Sequence, residues 1–303
     1  MKLLIITNSY DATTDLLITK IGKEHVFRFS YDQWDQYSFQ INQNNFCIKG
    51  EYFSINENEI AKVYWRKPFL NNFVFDEKLD AYLNKEITVV FRDLFNILQL
   101  EQKTVLVNPF KSTQIGKLYQ LRVAKKYFRV PEWVYFWNSL PQINGNVITK
   151  SLSSTHMIDS KFLFTSSVQV DEIDKKYPWL IQSKIEGDYD MTIVYINGEC
   201  YAFKLLRTDK TLIDWREKIG QDLQDWIWLE LESDFKKNVI NFMEHLKLKF
   251  GRLDFMINNS EISFLEVNPN GQWAFLDLSD KYGLISKMVD ELSPMTPLNS
   301  FAD

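Results

Sequence analysis

The chain has 303 residues, of which 45% are hydrophobic and 25% charged, and its formal net charge is -5. This is a globular composition with room for two or three domains, and it excludes the whole-chain basic field of a general nucleic-acid binder. Cys47 and Cys200 lie far apart in the sequence, so we interpret them as free thiols. The apolar N-terminal run is too short for a signal sequence or a membrane span, which predicts a soluble, cytoplasmic protein without a membrane partner.

The first part of the chain alternates predicted strands with predicted helices. The run from Leu3 to Thr7 is continuously apolar, which is typical of a strand buried on both faces of a parallel sheet. A helix is predicted to begin near Thr13, with Ser9 or Asp11 as its cap. Further strands are predicted at 25–29 and 62–65, and a hairpin at 46–60.

A long amphipathic helix is predicted over residues 76–100. Its apolar stripe repeats every three or four residues and consists of Leu79, Leu83, Ile87, Val90, Leu94 and Leu98. This alternation of strands and helices predicts an α/β first domain that ends near Asn108-Pro109. The next helix is predicted to begin at Ser112 or Thr113 and to end before Pro131, because proline cannot continue a helix.

Strand-like runs dominate the rest of the chain. Short strands are predicted within 133–150 and 161–170, and longer ones at 180–185, 191–196 and 199–206. The dipeptide Asn197-Gly198 between the last two is a strong signal for a hairpin turn. A helix is predicted at about 233–247, and a second hairpin at 252–257 with 262–267.

The second hairpin carries acidic residues inside apolar strands. Glu266 and Asn268 face the same side of their strand, because side chains alternate. If residues 259–261 form a three-residue turn, Asp254 lies directly opposite Glu266. Paired carboxylates among apolar residues need a counter-ion, and Mg²⁺ prefers oxygen ligands of this kind. The alternative is an edge hairpin whose polar face is solvated.

These residues carry a resemblance to a known superfamily. The segments LDFM and FLEVNPNGQW resemble the signature of ATP-grasp enzymes, in which an Asp, a Glu and an Asn hold the magnesium ions of MgATP. The ending EVNPNGQW is similar to that of the microviridin and graspetide maturases, which macrocyclise ribosomally made peptides. Four further segments extend the resemblance over nearly the whole chain: LLIITNSYDATTDLLI, VYWRKP, VNPFKSTQIGKLYQLRVAKKYFRVPEW and LIDWREK.

The resemblance implies an α/β (α+β) chain with the ATP-grasp fold. Its parts are an N-terminal α/β domain at 1–111, a central lid domain at 112–178 and a C-terminal antiparallel-sheet domain at 179–303. It assigns Asp254, Glu266 and Asn268 to the metal. It assigns ATP contacts to Lys117, Lys150, Asp190, Arg216 and the adenine hinge Gln182, Ser183, Lys184 and Ile185. Lys150 and Arg216 take the catalytic roles, since lysine and arginine suit phosphate groups.

The chain departs from the family pattern at three places. Lys67 stands where the family has Arg, and Thr192 replaces an arginine expected near the phosphates. Either Arg207 or Arg216 must then neutralise that charge, and Arg216 is favoured because it matches a family position. The lid loop SLSSTHMIDS contains no glycine, so Ser153, Ser154, Thr155 or His156 would supply hydrogen-bond donors, and we assign His156 no catalytic role.

The resemblance implies an ADP-forming ligase that uses ATP and Mg²⁺, with two ions expected. Its substrate would be a ribosomal precursor peptide, leader plus core, whose Asp or Glu side chains are activated as acyl phosphates. Ser or Thr would then form ω-esters, or Lys would form ω-amides. A homodimer and no nucleic-acid partner are expected. Two alternatives stay open: a ligase that adds amino acids or glutamate to a protein or peptide tail, and a non-catalytic ATP-grasp module that binds peptide.

Overall fold

The computed structural model describes residues 1–66, 79–100, 104–105, 115–139, 143, 145–152, 157–158, 161–162, 166–168, 170, 173–208 and 226–294. The chain forms two compact units, residues 1–114 with 277–303 as unit 1 and residues 115–276 as unit 2. The three-part division at 111 and 178 stays a prediction. Outside the described residues lie Lys67, the predicted helix start at Ser112 or Thr113, the lid residues Ser153, Ser154, Thr155 and His156, and Arg216.

Unit 1 is built on a parallel sheet. Its strands are β1 (Lys2–Thr7), β2 (Val26–Ser30), β3 (Ser38–Ile41), β4 (Phe46–Lys49), β5 (Ser54–Asn56), β6 (Ile60–Trp65) and β7 (Thr104–Val105). The order β2-β1-β6-β7 is parallel throughout, and β3-β4-β5 form a separate antiparallel sheet. The predicted strands are confirmed, and the predicted hairpin gains β3 as a third strand. The apolar run of β1 is fully buried, as expected for a central parallel strand.

The described residues form five α-helices and four short 3-10 helices. The α-helices are α1 (Ala12–Ile21), α2 (Asp80–Leu100), α3 (Lys117–Ala124), α4 (Ser233–His245) and α5 (Leu284–Leu292). Short 3-10 helices occupy Lys23–His25, Tyr31–Gln36, Glu57–Glu59 and Ala274–Leu276. In α5, the carbonyl oxygen of Glu291 accepts a 2.8 Å hydrogen bond from Lys62 Nζ, so the last helix packs in unit 1. None of the described helices is long and apolar enough to cross a membrane.

The buried stripe of α2 differs from the predicted one. Val90 is 39% exposed and Leu79, just before the helix, is 51% exposed, whereas Phe91 and Phe95 are buried beside the predicted Leu94. Phe91 stacks against Phe29 of β2, with ring centroids 5.6 Å apart. The two aromatic side chains bury more apolar area than the valine, so the helix turns them toward the core.

A buried charge pair lies at the carboxyl end of the parallel sheet. Asp11 occupies the N-cap position of α1, as predicted, but its side chain does not cap the backbone. Its carboxylate instead accepts hydrogen bonds of 2.8 Å from the hydroxyls of Thr7 and Thr14. Arg66 Nε lies 3.7 Å from the same carboxylate, and the two side chains are 0% and 3% exposed. The pair satisfies charges that burial alone would strongly disfavour.

Unit 2 contains the remaining strands. They are β8 (Trp133–Phe136), β9 (Val147–Lys150), β10 (Met157–Ile158), β11 (Lys161–Phe162), β12 (Ser166–Val168), β13 (Trp179–Ser183), β14 (Tyr189–Ile196), β15 (Glu199–Leu206), β16 (Ile227–Trp228), β17 (Phe250–Asn258) and β18 (Glu261–Asn268). They form antiparallel sheets in the orders β12-β9-β13-β8, β10-β11 and β16-β15-β14-β17-β18. Asn197 and Gly198 both have positive φ, which confirms the predicted turn between β14 and β15.

One face of the five-stranded sheet forms the core of unit 2. Its apolar side chains pack with α3 and α4 in a cluster that includes Met191, Ile193, Leu253, Phe255, Phe264, Leu121 and Phe242. Phe128, just after α3, stacks on Phe264 with ring centroids 5.7 Å apart. Cys200 stays a thiol here because burial raises its pKa to about 12. On the opposite face, Val194 and Phe203 are buried too, and polar side chains, among them Thr192, Arg252 and Asp254, lie beside them. We call this the polar face of the sheet.

Substitution of Asp11 by alanine tests the buried charge pair. The change removes a buried carboxylate that lies beside Arg66 and accepts hydrogen bonds from two hydroxyls. We expect the free energy of unfolding to fall by about 3 kcal/mol, the cost of breaking a buried pair, as measured by urea denaturation. Asp15→Ala, which removes a 62% exposed carboxylate from the same helix, is the matched control and should cost less than about 1 kcal/mol. An equal fall in the free energy of unfolding for the two variants would contradict a stabilising role for the buried Asp11–Arg66 pair.

Candidate active site

The acidic hairpin β17–β18 brings its carboxylates together. Asp254 pairs directly with Glu266, as predicted, although the turn is different. Asn258 pairs with Glu261, so the turn has two residues, Asn259 and Ser260, rather than three. A bulge then adds one residue on β18, because Phe255 pairs with Phe264 while Asp254 pairs with Glu266. The extra residue, Leu265, restores the pairing that a three-residue turn would have given.

The two carboxylates share the polar face of the sheet with residues from three strands. Directly opposite residues in an antiparallel sheet lie on the same face. Thr192 of β14 pairs with Asp254, and Arg252 of β17 pairs with Asn268 of β18. The predicted metal ligands Asp254, Glu266 and Asn268 are thus placed on one patch of one sheet.

Two neighbours hold the Asp254 carboxylate. Thr192 Oγ1 donates a 2.8 Å hydrogen bond to Oδ1, and Arg252 Nη2 donates a 3.1 Å hydrogen bond to Oδ2. The side chains of Arg252 and Asp254 are only 10% and 19% exposed. The sequence reasoning missed Arg252. Its position two residues before Asp254 was the available signal, since alternation puts both side chains on one face.

The turn after β18 holds the Arg252 side chain in place. Arg252 Nη1 donates a 3.1 Å hydrogen bond to the carbonyl of Gln272. A Cβ at Gly271 would lie 2.8 Å from Arg252 Cβ, so glycine is required for this close approach. Asn268 Oδ1 accepts the backbone N–H of Asn270 at 3.1 Å, which closes the turn and leaves one lone pair on that oxygen. The NPNG segment thereby orients both Asn268 and Arg252.

Lys117 connects the acidic hairpin to the neighbouring sheet. It begins α3, and its Nζ lies 3.6 Å from Glu266 Oε2. The same Nζ donates a 2.7 Å hydrogen bond to the carbonyl of Ser151, which follows Lys150 at the end of β9. Lys117 therefore contacts a predicted metal ligand and the residue that follows Lys150, the second predicted phosphate lysine.

The predicted hinge lies at the end of β13. Lys150 pairs with Leu180, and Gln182 pairs with Ile148 on the same neighbouring strand. Gln182 is 1% exposed, and neither atom of its side-chain amide has a hydrogen-bond partner among the described residues. Ser183 ends the strand, so the next two predicted contacts, Lys184 and Ile185, lie in the segment after it.

Asp190 forms a buried ion pair on the polar face of the five-stranded sheet. Arg207 Nη1 lies 2.9 Å from both of its carboxylate oxygens, and the two side chains are 8% and 10% exposed. Arg207 follows β15, the strand next to β14. An arginine thus reaches this face from just after the neighbouring strand, whereas Thr192 stands on β14 where the sequence resemblance led us to expect an arginine. Arg216, the favoured replacement, lies outside the described residues.

The donor set fits magnesium and a nucleotide. Two carboxylates and one amide oxygen on one patch match the hard oxygen ligands of Mg²⁺, which commonly keeps waters and phosphates in its shell. The described residues contain no group of three or more His, Cys, Asp or Glu side chains suited to a metal, so Asn268 is needed to complete a protein set of three. The unpaired buried amide of Gln182 fits a base edge that offers both donors and acceptors.

Comparison with known proteins identifies the fold. No protein-family model matches the chain, and no curated protein matches it at the significance required. The RiPP-associated ATP-grasp ligase of Chryseobacterium gregarium, solved with ADP and a leader and core peptide, is 22% identical with a TM-score of 0.84. The alignment covers 98% of this chain and 97% of that one.

Two further solved structures agree. Macrocyclase MdnC of Microcystis aeruginosa MRC, bound with precursor peptide MdnA, is 21% identical with a TM-score of 0.80, over 96% of this chain and 99% of that one. The ATP-grasp ligase PsnB, complexed with minimal precursor, Mg and ADP, is 14% identical with a TM-score of 0.72, over 97% of both chains. The chain therefore has the ATP-grasp fold, and its structural neighbours include RiPP-associated ATP-grasp ligases.

Proposed function

We propose that the chain is an ATP-dependent, ADP-forming ligase that modifies a peptide. The observation that carries the proposal is the cross-strand pair Asp254–Glu266, held between Thr192, Arg252 and Lys117. This arrangement places oxygen ligands for a metal beside cations that suit phosphate, on the polar face of the five-stranded sheet. Solved neighbours of the same fold contain ADP, Mg and precursor peptides, which supports the same ligand classes here.

The finer proposal concerns the substrate and the bonds formed. It is a ribosomal precursor peptide, leader plus core, whose Asp or Glu side chains are joined to Ser or Thr as ω-esters or to Lys as ω-amides. The neighbouring macrocyclase MdnC, bound with its precursor peptide, supports this choice. The proposal includes MgATP with two ions, a homodimer and a cytoplasmic location.

The chemistry divides among the chain's own residues. Asp254, Glu266 and Asn268 would hold Mg²⁺, which supplies charge neutralisation at the phosphates when bound. Lys117, Lys150 and Arg216 would orient the γ-phosphate. A peptide carboxylate oxygen attacks the γ-phosphorus, and the bond to ADP breaks. The hydroxyl or amine then attacks the acyl carbon, loses its proton and expels phosphate, so each crosslink removes one water from the peptide.

One observation favours a second candidate, the binding module. Thr192 is neutral and donates its hydroxyl to Asp254, so β14 lacks the arginine of the family pattern. A module of this kind would bind peptide and nucleotide without turnover. The tail ligase, by contrast, would release ADP but add mass to its peptide. The first two experiments below distinguish all three.

The intact mass of the short peptide encoded beside this gene tests the substrate. After incubation with the enzyme and MgATP, we expect the mass to fall by whole water masses, one for each crosslink. Mass spectrometry before and after reaction gives the count directly. An increase in mass would favour the tail ligase, and an unchanged mass with that peptide would contradict the macrocyclase proposal for it.

Neutralisation of the paired carboxylates tests the metal assignment. Glu266→Gln and Asp254→Asn keep the side-chain shape but remove the charge, so peptide-stimulated ADP release should fall at least about 100-fold while the fold persists. Glu261→Gln is the matched control, because Glu261 lies at the other end of β18 and contacts Arg129. Full activity in both site variants would refute the assignment, and no ADP release from the unmodified protein would favour the binding module.

Gln182→Met tests the adenine hinge. The variant removes a buried amide that has no partner in the described structure, so the free energy of unfolding should stay the same or rise. Loss of the base contact should weaken ATP binding about tenfold, equivalent to one hydrogen bond of about 1.4 kcal/mol, as measured by isothermal titration calorimetry. Unchanged ATP affinity would remove Gln182 from the nucleotide site.

A further inference from the structure

We propose that a groove between α3 and β8 binds an extended, acidic segment of the peptide substrate by strand addition. The cavity has a volume of about 740 Å³ and is lined by Leu121, Arg122, Lys125, Val130, Pro131, Glu132, Trp133, Val134 and Tyr135. None of these residues belongs to the candidate active site. The identity of the peptide as substrate rests on the proposed function, but the groove itself does not.

Among the described residues, the strand that borders the groove forms the edge of its sheet. β8 is the terminal strand of the order β12-β9-β13-β8 within the described residues. Ser183 donates its backbone N–H to the carbonyl of Glu132, which fixes residue 132 as a hydrogen-bonded pair. Because such pairs alternate along an antiparallel ladder, the backbone groups of Trp133 and Tyr135 point away from β13. No backbone hydrogen bond joins these outward groups to another described residue.

The four residues of β8 carry no charge, whereas Pro131 and Glu132 lie directly before the strand and its shortness limits the edge. Neither Pro nor Lys interrupts the strand Trp133–Phe136, and Tyr135 is 38% exposed. Proteins normally protect such an edge with a charge, a proline or a covering element. An extended peptide would satisfy the outward backbone groups, and the aromatic side chains would contact its alternate residues.

The charges around the groove indicate what the peptide carries. Arg122 in the last turn of α3 and Lys125 at its C-cap are spaced three residues apart, so they lie on the same side, and both are exposed. They are opposed only by Glu132 among the lining residues, which leaves an excess of one positive charge. Acidic side chains on an added strand would meet these two cations. A peptide whose Asp and Glu residues await ligation has this composition.

The test measures binding without nucleotide, so that it does not depend on catalysis. The probe is a fluorescein-labelled peptide of alternating Glu and Val residues, compared with the same peptide carrying Gln in place of Glu. Fluorescence anisotropy with the full chain should show tighter binding of the Glu peptide. The double variant R122E/K125E should weaken that binding at least about tenfold, because two attractions become repulsions. The exposed Lys126→Glu, which lies outside the cavity lining, is the matched control.

A proline variant separates the backbone contribution from the side chain. Tyr135→Pro removes an outward N–H without touching the ladder to β13, whereas Tyr135→Ala keeps the N–H and removes the ring. We expect the proline variant to weaken binding more than the alanine variant.

Equal binding by wild type and R122E/K125E would overturn the proposal. So would a wild-type dimer that Tyr135→Pro converts to monomer and that the peptide fails to displace, since the edge would then belong to a second copy of the chain. The groove and the proposed ligase activity are tested separately. Absence of peptide binding with intact ADP release would refute only this inference, and peptide binding without ADP release would refute only the proposed function.

Discussion

The polar face of unit 2 depends on the register between β17 and β18. A shift of β18 by one residue would turn Glu266 away from Asp254 and into the aromatic core around Phe255. The core on the other face prevents that shift, because Phe255 and Phe264 pack against each other and against Phe128. The same packing that stabilises the unit therefore also determines which side chains face the candidate active site.

The predicted pairing of Asp254 with Glu266 is confirmed, but the three-residue turn from which it was predicted is wrong. A three-residue turn and a two-residue turn with a bulge at Leu265 give the same partner for Asp254. Alternation and turn length are local properties, and they decide which residues face each other. The bulge at Leu265 was not predicted, because no residue pattern within the hairpin marked it. The predicted strands and the Asn-Gly turn were confirmed because their signals lie within a few residues.

Contacts between distant segments were not predictable in this way. Three ion pairs join segments that no spacing rule relates: Arg207 with Asp190, Lys117 with Glu266, and Arg66 with Asp11. The stripe of α2 was misjudged because periodicity alone does not rank a valine against the larger Phe91 beside it. For the nucleotide contacts, resemblance to a family supplied candidate positions, while the unpaired amide of Gln182 emerged only from the packing around it.

The cations of the polar face have a consequence for how ligands bind together. Lys117 and Arg252 each contact a carboxylate, Glu266 and Asp254, that the proposed metal would also use. A divalent ion bound to these carboxylates would weaken both contacts and would make the two cations available to phosphate oxygens. Each ligand would thereby improve the site for the other, and thermodynamic reciprocity would require the two affinities to rise by the same factor. Under the proposed function, metal and nucleotide would be linked ligands, and the affinity for one would depend on the concentration of the other.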